Sequence, residues 1–161
     1  MPLATLAAFM ERPLSSVHKS LQQATAARLL THRQAIFAGA ALVTYSVRRE
    51  ALREFVLHGV RYAYPARLGA RERGITTAWS AMPLSGQISS PPELRVVWPD
   101  PEGDARGESV EPLHESVLVV VKKNPVIYQA LALIDGIRVG QARERKLASE
   151  MFSALLDEHM R

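Results

Sequence analysis

No cysteine occurs in the 161 residues, which excludes a disulfide framework, a thiolate-held metal and a cysteine nucleophile. Long hydrophobic runs are missing too. The apolar stretch near the start, Leu3 to Met10, is far shorter than a membrane span, and no basic leader precedes it. A soluble, cytoplasmic chain with no membrane partner is therefore expected. The signatures HExxH, GxSxG, Walker A and GxGxxG are absent, and the five histidines (18, 32, 58, 114, 159) show no ligand spacing on one element. No enzyme activity, cofactor or metal is expected. What remains is an ordinary globular composition, 47% hydrophobic and 22% charged, sized for one domain or one small domain with an extension.

The net charge of +4 is unevenly placed. Residues 1–64 hold eight Lys and Arg (Arg12, Lys19, Arg28, Arg33, Arg48, Arg49, Arg53, Arg61) against three acids (Glu11, Glu50, Glu54). The rest is close to neutral. A basic N-terminal third attached to a near-neutral platform is the pattern of a polyanion-binding module. The plain alternative is a solvated basic surface.

Leu3 to Met10 (LATLAAFM) consists of good helix formers, and Pro13 interrupts it. Ser15 or Ser16 is the candidate N-cap of a second helix, residues 17–30, with Val17, Leu21, Ala24 or Thr25, and Ala27 or Leu30 at helical spacing. Residues 31–46 suggest two strands around an Ala38-Gly39 turn, although their alanines are also compatible with helix. A third helix is expected from Val47 to His58, capped by Ser46 and stopped by Gly59. Residues 65–113 hold seven of the ten prolines and five of the nine glycines, with strand hints only at 75–79 and 94–98. Beyond them Val117 to Val121 is β-branched enough to be a strand. Asn124-Pro125 reads as a helix start, and Gly140 separates that helix from a final one.

The helix–break–helix at 3–30 is the most specific feature. In a helix-turn-helix an apolar residue followed by Ala lets the second helix cross closely, and Leu6-Ala7 supplies that pair. Met10, Val17 and Leu21 supply the apolar anchors. Polar side chains are left on the outer face: Ser15 and Ser16 for phosphate, Lys19 for phosphate or guanine, His18, Gln22 and Gln23 nearest the bases. Arg12, Arg28 and Arg33 are the flanking phosphate contacts. A generic helical hairpin is the alternative.

The run LATLAAFMERPLSSVHKSLQQATAARLL resembles the helix 2–helix 3 segment of MarR-like winged helix-turn-helix bacterial regulators. The later segments REALREFVLHGVRYAYPA, GITTAWSAMPL, VWPDPEGDARG and NPVIYQALALIDGIRVGQARERKLA are similar to one group of predicted regulators of that kind. The resemblance implies a recognition-helix role for Ser15 through Gln23. Glu11-Arg12 stands where such turns usually carry Gly and an apolar residue. Two residues precede the first helix, so either the chain starts short or a C-terminal or partner helix takes the place of the usual helix 1.

Other clusters point less sharply. Arg67, Arg71, Arg73, Trp79 and Trp98, near Tyr62 and Tyr64, are able to stack and pair with nucleotides, or else the aromatics pin the segment to a core. Asp100, Glu102 and Asp104, with His114, suggest a hard cation or acid–base chemistry, or else simple Asp-Pro and Glu-Gly turns.

The expected fold is α+β and helix-dominated. It comprises a winged helix-turn-helix-like module at 1–60, an extended Pro/Gly-rich segment at 61–113 and a C-terminal helical region at 114–161 for dimer or partner contacts. The expected function is a sequence-specific, double-stranded-DNA-binding transcriptional repressor, homodimeric, reading the major groove with helix 17–30. The rival expectation is a protein-interaction partner, an antitoxin or regulatory subunit, in which DNA binding is secondary or absent.

Overall fold

The computed structural model describes residues 2–37 and 40–160, an α+β chain dominated by helices. It divides into two compact units, with the boundary between Glu54 and Phe55. The division thus differs from the expected three parts, because the middle and C-terminal segments fold together.

The first unit runs α1 (Leu3–Met10), α2 (Leu14–Ala26), β1 (Leu30–Phe37), β2 (Ala40–Val47) and α3 (Arg49–Glu54). β1 and β2 pair antiparallel from Leu30↔Val47 to Phe37↔Ala40, so the helical alternative for this stretch does not hold. The expected Ala38-Gly39 turn lies outside the described residues. Helix α2 begins and ends earlier than residues 17–30. Pro13, with extended backbone, is its N-cap, and the Pro13 carbonyl accepts from the Ser16 and Val17 N–H groups. Ser15 and Ser16 therefore sit inside the first turn and do not cap it. Val47 belongs to β2, which moves the start of the third helix to Arg49.

The second unit opens with a π-helical turn, Phe55–Gly59, followed directly by α4 (Val60–Ala63). Gly59 does not stop the helix, since its φ of −109° and ψ of −35° are helical, not left-handed. Then come β3 (Arg71–Thr76), three short 3₁₀ turns, β4 (Val96–Pro99) and β5 (Ala105–Ser109), and α5 (Val117–Lys123), α6 (Pro125–Val139) and α7 (Ala142–His159). The middle segment is therefore folded, not merely extended.

Each of β3, β4 and β5 pairs with the other two, closing a small three-stranded ring. Such closeness requires residues without side chains. A Cβ on Gly74 would lie 1.9 Å from the Trp98 carbonyl oxygen, and one on Gly107 would lie 2.4 Å from that of Arg95. The core gathers Val96, Trp98, Val110, Val117, Val121 and Ala132 around the ring and α6. Burial of Val117, Val120 and Val121, spaced three and four apart, makes α5 a helix despite its β-branched sequence. Asn124 caps α6 through its side-chain oxygen, which accepts from the N–H groups of Val126 and Ile127, with Pro125 in the first turn.

A buried polar node ties the middle segment to α6. The Asp135 carboxylate, 1% exposed, accepts from Thr77 Oγ1 at 3.0 Å, Trp98 Nε1 at 2.5 Å and an Arg138 guanidinium nitrogen at 2.6 Å. Arg138 also donates to the carbonyls of Tyr64 and Glu111. Burial pushes the Asp135 carboxyl above its ordinary range, while Arg138, Thr77 and Trp98 pull it back. Trp79 donates to the Leu94 carbonyl at 3.0 Å, and Arg73 to that of Gly103 at 2.7 Å. Arg73, Trp79 and Trp98 thus pin the middle segment in place, while Arg67, Tyr62 and Tyr64 stay exposed.

The acidic cluster is a turn. Asp100 Oδ1 accepts from the Glu102 N–H at 2.9 Å, and its Oδ2 pairs with Lys122 Nζ at 2.7 Å. Among the described residues no helix is long and apolar enough to cross a membrane.

Candidate nucleic-acid interface

The first unit's two helices are closed by the same device. At the end of α1 the Arg12 N–H donates to the Ala7 carbonyl and the Glu11 N–H to that of Ala8, with Glu11 at φ 52°. At the end of α2 the Leu29 N–H donates to Ala24 and the Arg28 N–H to Thr25, with Arg28 at φ 60°. Both are paired 6→1 and 5→2 closures around a left-handed residue, a place where glycine is usual. Glu11 takes the position of the turn glycine that the sequence lacks. Only Arg12 and Pro13 then separate it from α2.

Small and apolar residues set the crossing of the helices. Ala7 is 6% exposed and Val17 4% exposed, and Leu6, Met10, Leu21 and Ala24 are half-buried. At 100° per residue, Ser15, His18, Lys19, Gln22 and Gln23 fall within an arc of about 140° on the opposite side from Val17, Leu21 and Ala24. All five are exposed. No carboxylate occurs anywhere on α2, so nothing on the helix repels an anionic surface.

The other expected residues are placed differently. Ser16 lies on α2 but turns inward and is half-buried, as is Arg12 in the turn. Arg28 falls outside the helix, two residues after Ala26, with an exposed side chain. Arg33 is exposed on β1 opposite Thr44, whose hydroxyl donates to the Arg33 carbonyl at 3.5 Å. Five residues therefore share one helical face. Arg28 and Arg33 mark the base and the first strand of the hairpin.

Arg48 was not among the expected contacts. Its N–H donates to the Leu29 carbonyl at 2.8 Å, and a guanidinium nitrogen donates to the Arg28 carbonyl at 3.2 Å. The signal lies in the register: Leu30↔Val47, continued outward by one residue, sets Arg48 opposite Leu29. His32 on β1 stands beside Tyr45 on β2, ring centroids 6.3 Å apart. Elsewhere in the unit Glu50 is held by Arg49 at 3.1 Å and Arg53 at 2.8 Å.

The face is thus a short polar helix with a paired hairpin following it, presenting hydrogen-bond donors, amides and cations and no acid of its own. Comparison with known proteins finds no match for the chain among family models, curated proteins or solved structures.

Proposed function

We propose that residues up to Glu54 form a winged helix-turn-helix-like module of the MarR-like kind and that the chain is a sequence-specific double-stranded-DNA-binding regulator, a repressor acting as a homodimer. The observation that carries this reading is the exposed, acid-free face of α2. Lys19 is suited to phosphate or guanine, and Gln22 and Gln23 to adenine, in a major groove wide enough to admit a helix. Ser15, Arg12, Arg28 and Arg33 supply positioning contacts around it. Two copies engaging two half-sites would give a short recognition helix the affinity it lacks alone.

The test is a fluorescence-anisotropy titration of a random duplex and of the DNA upstream of the gene, at several salt concentrations. Tighter binding to the upstream duplex, with log K falling against log salt by about 0.9 per neutralised phosphate, supports a regulator. Absence of binding at low salt contradicts it.

One observation favours a second reading, a protein-interaction partner such as an antitoxin or regulatory subunit. Ile36 is 81% exposed on β1, and Val43 and Val47 are exposed on β2. Apolar side chains standing clear of a two-stranded hairpin suit a protein surface better than a duplex.

A further inference from the structure

We infer that the cavity where α2 hands over to the hairpin is an oxyanion site for a phosphate group. The inference deepens the nucleic-acid reading in one arm of its test and is independent of it in the other. The cavity, about 430 Å³, is lined by Thr25, Arg28, Leu30, Thr31, His32 and Arg48. Two arginines, a histidine and two threonines line it without a single carboxylate. Among the described residues neither Arg28 nor Arg48 has an ion-pair partner, in contrast to Arg49 and Arg53, which share Glu50.

The groups divide into walls and donors. Thr25 Oγ1 donates to the Leu21 carbonyl at 2.8 Å and Thr31 Oγ1 to that of Ser46 at 3.4 Å, so both hydroxyl protons are committed and these residues shape the pocket. Arg48 spends one guanidinium nitrogen on the Arg28 carbonyl, which ties its head to the backbone of a lining residue and leaves further N–H groups for a ligand. A tetrahedral oxyanion with several lone pairs matches a guanidinium fork better than any neutral ligand does.

Arg28 holds a left-handed φ of 60°, where glycine costs nothing and a side chain costs about 1–2 kcal/mol. Its side chain is exposed.

The experiment uses the full chain and two probes, inorganic phosphate and a duplex of about 20 base pairs. Arginine Nε–H resonances are followed by NMR, with anisotropy for the duplex. Phosphate is expected to move the Arg28 and Arg48 signals together, saturably, and Arg48→Gln is expected to weaken that binding about tenfold. With the duplex, Arg48→Gln combined with Arg28→Gln is expected to lower the salt slope by about 0.9 for each phosphate no longer neutralised. Arg28→Gly, which relieves the backbone, guards against loss of folding and is expected to weaken phosphate binding in a well-folded chain.

Saturable phosphate binding without duplex binding keeps the site, assigns it to a free phosphate-bearing ligand and overturns the nucleic-acid reading. Duplex binding with a salt slope unchanged by the double substitution, and no saturable phosphate shifts, overturns the site and leaves that reading standing.

Discussion

Trp98 and Asp135, thirty-seven residues apart in sequence, are joined by a 2.5 Å hydrogen bond from the indole N–H to Oδ2, with each residue 1% exposed. The bond crosses from β4 to α6. It explains why the middle of the chain and its C-terminal helices form one unit, since the carboxylate has no water to turn to and must be satisfied by Thr77, Trp98 and Arg138 together.

Removing one partner from this node is costly. Arg138→Met leaves a buried carboxylate without its counter-charge and is expected to destabilise the second unit by about 3–5 kcal/mol. Combining it with Asp135→Leu removes both charges, and the double variant is expected to be more stable than the single one. Urea unfolding followed by tryptophan fluorescence measures both. A double variant at least as unstable as Arg138→Met contradicts this account of the node.

The ring of β3, β4 and β5 depends on Gly74. Gly74→Ala drives a Cβ to 1.9 Å from a backbone oxygen and is expected to abolish cooperative unfolding of the second unit. Gly86→Ala meets only the Met82 side chain, at 3.6 Å, and is expected to be neutral or stabilising by up to about 1 kcal/mol. Equal effects of the two in thermal melts would contradict the packing described.

The pair Asp100–Lys122 sets a pH window. Lys122 and the Glu102 N–H hold the Asp100 carboxyl below its usual range, and Asp100 holds the Lys122 ammonium above its own. A lowered carboxyl contributes stability that is present above the ordinary carboxylate range and lost as pH falls through its folded value. The raised ammonium contributes stability that is present below the ordinary lysine range and lost as pH rises through its folded value. Asp100→Asn is therefore expected to lose stability against the parent near neutral pH, with the gap closing in acid. A gap that stays constant down to acid pH rules out this linkage.

At the end of α2, Arg28→Gly removes the cost of a left-handed side chain, about 1–2 kcal/mol. The Leu29 amide, bonded to the Ala24 carbonyl, is expected to exchange more slowly with solvent in the variant. Unchanged or faster exchange would contradict the strain.

Much of this was legible in the sequence where local chemistry decides the structure. α1 spans Leu3–Met10 as read, Asn124-Pro125 opens α6, and Gly140 separates α6 from α7. The polar face of α2 also follows directly from spacing. Long-range relations were hidden. Asp135 reads as an ordinary helical carboxylate until Trp98 and Thr77 are brought to it by the ring, and the ring depends on glycines whose close approaches leave no periodic trace. Val117–Val121 shows tertiary packing overriding β-propensity. Arg48 is hidden too, because it stands one residue past β2 and its place opposite Leu29 leaves no periodic signal.

The most direct measurement compares the parent chain with the combined variant Lys19→Ala, Gln22→Ala, Gln23→Ala in the same duplex titration, after circular dichroism shows equal helix content. All three side chains are exposed, so the fold is expected to stand. The account requires the variant to lose preference for the upstream duplex, by about 1–3 kcal/mol for each base-reading side chain removed. Binding of the two duplexes identical to that of the parent would contradict a recognition role for α2.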